Sequence, residues 1–107
     1  MINVRITADS DGNTLGIEVD GHAGYDEYEK DVVCAAVSAL TINMANAVEH
    51  FTEDRFEAEC EEGHFRFRFP GKASHDASLL INALVLGLQD VAESCGEEYM
   101  RIRFEEV

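Results

Sequence analysis

The chain has 107 residues, is 46% hydrophobic, and sets 22 acidic against 8 basic side chains for a formal charge of −14. That size supports one domain over residues 1–107 with its own core, burying roughly 65% of the unfolded surface. The charge argues against direct binding to DNA or RNA, which depends on neutralising phosphates with Lys and Arg, and it favours basic partners.

No window approaches the ~18 uninterrupted apolar residues of a membrane span. The first residues alternate like a strand instead of showing the basic and apolar blocks of a signal peptide, so a cytoplasmic location is expected. Three cysteines cannot close into a full disulfide set, and their spacing matches no zinc ribbon or CxxC pair.

Ile2, Val4, Ile6 and Ala8 alternate with polar residues as in a half-buried strand. Ser10-Asp11-Gly12-Asn13 is turn chemistry. Leu15, Ile17 and Val19 alternate again, so the two strands form a hairpin. Residues 21–30 carry two glycines, two tyrosines and four charges with no period, which predicts a loop. Loops of that length are commonly functional.

Asp31 is a suitable N-cap for a helix running to His50 or Phe51, with Val33, Val37, Leu40, Met44 and Val48 on its buried face. A third strand follows over 55–61, with Phe56, Ala58 and Cys60 expected inward. Glu62-Gly63 turns the chain into a fourth strand carrying Phe65, Phe67 and Phe69. Ser74 or Asp76 caps a second helix that ends at Cys95-Gly96. Met100, Ile102 and Phe104 mark a last strand. The order is ββαββαβ, an α+β domain with a single mixed or antiparallel sheet and two helices. The second helix is apolar on more than one face, and the excess predicts self-association.

With Asp31 as N-cap, Cys34 is the third residue of the helix. The unpaired N–H groups there would favour a thiolate and could hold an oxyanion. His22 lies just past the second strand between Gly21 and Gly24, close enough in sequence to serve the thiol. A Cys and a His twelve residues apart also arise by accident. Ser38 sits one turn beyond Cys34 on the same face. Its hydroxyl could reach the sulfur or a substrate, or it could simply be one of several small residues that let the helix approach the sheet. Cys60 reads as a buried small hydrophobe, and His64 as a turn residue.

The run Gly21-His22-Ala23-Gly24-Tyr25, Glu27-Tyr28, Lys30-Asp31 and Val33-Cys34-Ala35-Ala36-Val37-Ser38-Ala39-Leu40 resembles the signature of the bacterial ribosomal-processing cysteine proteases, the Prp family. The resemblance extends over the whole chain. It implies a homodimeric endopeptidase that removes an N-terminal extension from large-subunit ribosomal protein number twenty-seven. It implies Cys34 as nucleophile and His22 as general base or acid. Gly21, Asp31 and Ser38 match positions associated with the site, and residues 23–30 match a mobile element over the substrate. Neither metal nor cofactor is implied. Glu29 departs from the glycine that the family often carries.

Two rival readings compete with the protease. One is a non-catalytic acidic dimer that captures basic ribosomal proteins. The other is a thiol switch, which would need Cys60 to lie beside Cys34.

Overall fold

The computed structural model describes residues 1–21 and 28–107, with the backbone alone for residues 28–31. Seven elements follow in the expected order: β1 (Ile2–Ala8), β2 (Thr14–Asp20), α1 (Tyr28–Phe51), β3 (Glu57–Glu61), β4 (His64–Arg68), α2 (His75–Cys95) and β5 (Met100–Glu106). They form one mixed sheet of order β3-β4-β2-β1-β5, in which only the β1–β5 pair is parallel.

Two crossovers set this topology. From β2 the chain passes through α1 to β3, stepping over β4; from β4 it passes through α2 to β5, stepping over β2 and β1. The second crossover starts from a strand running the opposite way and moves in the opposite direction across the sheet. The right-handed rule therefore puts both helices on the same face. The other face stays open to solvent and carries cross-strand ion pairs, among them Arg5–Glu18 at 2.7 Å and Arg68–Glu57 at 3.1 Å.

Alternation decides the core. Ile2, Val4, Ile6, Ile17, Val19, Phe65, Phe67 and Met100 all point to the helical face and are buried. Phe67 is fully buried, stacked on Phe56 with centroids 4.8 Å apart and edge-on to Phe69 at 5.1 Å. α2 presents Ala77, Ile81, Leu84 and Leu88 to the sheet. Its start is fixed by Ser74, whose Oγ accepts from the Ala77 N–H at 3.1 Å. Ser74 is itself held by Asp54, which accepts from the Ser74 N–H at 2.7 Å and from its hydroxyl at 2.5 Å. Gly96 closes the helix by donating to the Ala92 carbonyl at 2.9 Å. Both helices have the length and apolar composition of a membrane span, yet each turns a buried stripe onto this sheet.

Three expectations need correction. The first helix starts at Tyr28, so Asp31 lies within its first turn and Tyr28–Lys30 are helical, not loop. Glu and Lys are strong helix formers, and acidic residues are favoured at a helix start; Glu29, standing where glycine is frequent, lies inside α1. Next, Thr41, not Leu40, occupies the buried stripe of α1, with its hydroxyl donating to the Val37 carbonyl at 2.9 Å. Leu40 turns instead toward α2, where a Cβ built on Gly87 would lie 3.4 Å from it. Finally, Ala58 and Cys60 are exposed. β3 is the outermost strand and has β4 alone as a neighbour, so only Phe56, just before it, packs onto the core.

Candidate active site

At the end of the sheet where β2 stops, a cleft of about 60 Å³ opens between α1 and the β3–β4 hairpin. Cys34, Ser38 and Thr41 line it from α1, Gly21 from the end of β2, and Cys60, Glu61 and His64 from the hairpin. Cys34 is half-buried, packed against the core on one side and reaching the cleft on the other. Ser38, one turn on, is exposed at the same cleft. A cleft this small holds a few waters or the end of a side chain. An extended polypeptide would lie across its mouth, not inside it.

Gly21 is held tightly. Its N–H donates to the Gly63 carbonyl at 3.0 Å, which ties the end of β2 to the hairpin turn. Its φ is +111°, and a Cβ there would fall 2.2 Å from the Met1 carbonyl oxygen. No side chain fits, so the glycine is a steric requirement of this corner.

The start of α1 at Tyr28 changes the electrostatic expectation for Cys34. Cys34 is the seventh residue of the helix, and the free N–H groups belong to the first four residues. Its own N–H faces the Lys30 carbonyl within the helical ladder and is not free to hold an oxyanion. His22 and residues 23–27 lie outside the described residues, as does the side chain of Asp31.

Glu61 and His64 line the cleft without any sequence signal as site residues, and Cys60, expected at Cys34 only by the thiol-switch reading, joins them. Cys60 reaches the cleft because its strand is an edge. Glu61 stands opposite His64 across the two-residue turn. The Nδ1 of His64 makes a short contact with Asp20 on β2, and its Nε2 lies 3.9 Å from Glu59. The hydrogen bond to Asp20 holds the His64 imidazole above the usual histidine range, reinforced by the charges of Asp20, Glu18 and Glu59. The signal available was register: pairing β2 with β4 puts Asp20 and His64 side by side. Among the described residues, no three His, Cys, Asp or Glu side chains gather as metal ligands.

Known proteins share this architecture. Residues 1–100 match the family described as Cysteine protease Prp. The ribosomal processing cysteine protease Prp of Staphylococcus aureus is 32% identical over 99 residues, covering 91% of this chain and 93% of the relative. Its Bacillus subtilis counterpart is 32% identical over 97 residues, covering 85% and 87%. A crystal structure of the S. aureus protease in complex with a substrate peptide superposes with a TM-score of 0.89 at 30% identity, covering 98% of this chain and all of that one. With a shared fold, similarity along nearly its whole length and a half-exposed thiol at an open cleft, this chain belongs to the Prp family of cysteine proteases.

Proposed function

We infer that the protein removes the N-terminal extension of large-subunit ribosomal protein number twenty-seven, with Cys34 as nucleophile and His22 as general base and acid. One observation supports the pairing above the rest: Gly21 and Cys34 line the same cleft. His22 directly follows Gly21 in the sequence.

The chemistry is acyl transfer. His22 takes the Cys34 thiol proton as the sulfur attacks the scissile carbonyl carbon; the C–N bond then breaks, and His22 passes that proton to the leaving amine. Water then attacks the thioester with His22 accepting its proton, which releases the acid and restores the thiol. Ser38 and Gly21 border the reacting groups, and Asp31 lies one turn before Cys34 in α1. The protein acts as a homodimer, joined through the outer face of α2, where Leu79 and Leu86 are 61% and 60% exposed. An apolar pair two turns apart on the same helix face suits a partner better than water.

Incubating the N-terminally extended ribosomal protein with wild type, Cys34→Ala and His22→Ala, followed by mass spectrometry, tests the assignment. Loss of cleavage in both variants is expected, whereas cleavage persisting in Cys34→Ala would remove the site. The thiol-switch reading draws on one finding, that Cys60 shares the cleft with Cys34. A crosslinked 34–60 peptide after mild peroxide treatment would favour it, and its absence would dismiss it.

A further inference from the structure

The outer edge of β3 is a row of backbone groups without a strand beside it. β3 is flanked by β4 alone, and all five of its residues are exposed. The register shows which groups are free. Glu61 and His64 close the two-residue turn, so they form a hydrogen-bonded pair, and pairs of that kind recur at every second position. Glu59–Arg66 and Glu57–Arg68 therefore also bond across the ladder. The N–H and C=O groups of Ala58 and Cys60 point the other way, and among the described residues nothing bonds to them.

This row ends at the nucleophile's cleft. Cys60 lines the cleft together with Cys34, and Ala58 lies ~6.6 Å further along the strand. The cleft is too small to enclose a chain, so a substrate must be held by what surrounds its mouth. We propose that the polypeptide substrate binds as an added strand along β3, exchanging backbone hydrogen bonds with Ala58 and Cys60 and thereby laying its scissile bond over Cys34. This rests on Cys34 acting as the protease nucleophile.

Charge selects the occupant. Glu57, Glu59 and Glu61 all project from one face of β3. A second copy paired edge to edge would set these carboxylates against its own, which is unfavourable. A basic polypeptide would meet them favourably. Glu57 and Glu59 already face Arg68 and Arg66, while Glu61 forms no ion pair among the described residues. Glu61 is thus the position that would read a cationic residue of the substrate.

The test compares Ala58→Pro with Ala58→Val. Proline removes the outward N–H and is tolerated on an edge strand, whereas valine keeps the donor. Ala58→Pro should raise KM roughly tenfold, the scale of one lost backbone hydrogen bond plus local mismatch, with kcat within about twofold; Ala58→Val, which alters the same side chain but keeps the donor, should raise KM distinctly less than Ala58→Pro does. Equal kinetics for the two variants would overturn the proposal and leave the nucleophile assignment intact. Cleavage that survives in Cys34→Ala would sink both. Should Ala58→Pro fail to fold, a peptide series with single ester-for-amide replacements, run on wild type, decides. Losses at alternate positions on one side of the scissile bond support the added strand, and a flat profile refutes it.

Discussion

Replacing Gly21 with alanine probes how the end of β2 is built and whether that corner serves the site. Gly21 has φ +111°, and the new Cβ would sit 2.2 Å from the Met1 carbonyl oxygen, a backbone atom that cannot swing aside. Positive φ in a residue with a Cβ costs about 1–2 kcal/mol. Relieving the clash shifts β1 against β2 and weakens the 3.0 Å bond from the Gly21 N–H to the Gly63 carbonyl, for about 1 kcal/mol more. The whole loss is about 2–3 kcal/mol, and at an unfolding entropy of about 2.1 cal/mol/K per residue it lowers Tm by about 9–13 °C. Gly12→Ala is the control: its φ is +84°, but no atom lies within 4 Å of the added Cβ. It should lose only the conformational part, about 1–2 kcal/mol or about 4–9 °C, and so less than Gly21→Ala by the contribution of the clash and the weakened bond. Thermal unfolding by circular dichroism gives both values, and cleavage below both transitions gives the functional effect. Gly21→Ala should cleave at least tenfold more slowly because the corner also launches His22. Equal Tm losses for the two variants, or full activity in Gly21→Ala, would refute this reasoning.

Four further outcomes follow from the packing and the charges. Phe67→Ala should cost about 3–5 kcal/mol in denaturant unfolding, since the ring is fully buried between Phe56 and Phe69. Ser74→Ala should cost about 1 kcal/mol through the lost N-cap, and it should also raise the depressed Asp54 carboxyl, whose pKa is lowered first of all by the Ser74 hydroxyl. The Asp54 contribution is present above the ordinary carboxylate range and lost as pH falls through the lowered value, so Ser74→Ala should lose least at acid pH. For His64 the sign reverses: Asp20 raises its pKa, so the stabilisation is complete below the unfolded value near 6.5 and vanishes as pH rises through the folded one. In Asp20→Asn the His64 titration followed by NMR should move down. Leu79→Glu combined with Leu86→Glu should give a monomer by light scattering if α2 forms the dimer contact; an unchanged mass would reject that face.

How far the sequence could be read depends on what each signal encodes. The strands of Ile2, Ile17, Phe67 and Met100 show in their alternation because burial on one face imposes a period of two. Ser74 and Gly96 mark the ends of α2 because capping is local chemistry. Alternation sorts residues onto faces but says nothing about the rank of a strand in the sheet, so Ala58 and Cys60 could be assigned a face yet not their edge exposure. Leu40 and Thr41 are neighbours near the border of the buried stripe, and only the approach of α2 at Gly87 decides between them. Asp31 has the chemistry of a capping residue, but the helix-compatible residues before it carry α1 back to Tyr28, and capping chemistry alone does not distinguish the two starts. Cys34 stood out through the family signature. Its neighbours Glu61 and His64 come from a hairpin about thirty residues away and required the fold.

The identity of the nucleophile is tested most directly by trapping the acyl-enzyme. The extended ribosomal protein is mixed with enzyme, quenched in acid within one turnover, and the enzyme digested for mass spectrometry. The thioester-linked fragment should appear on the peptide containing Cys34 and disappear in Cys34→Ala. An adduct on Cys60, or cleavage without any adduct in Cys34→Ala, would contradict the assignment.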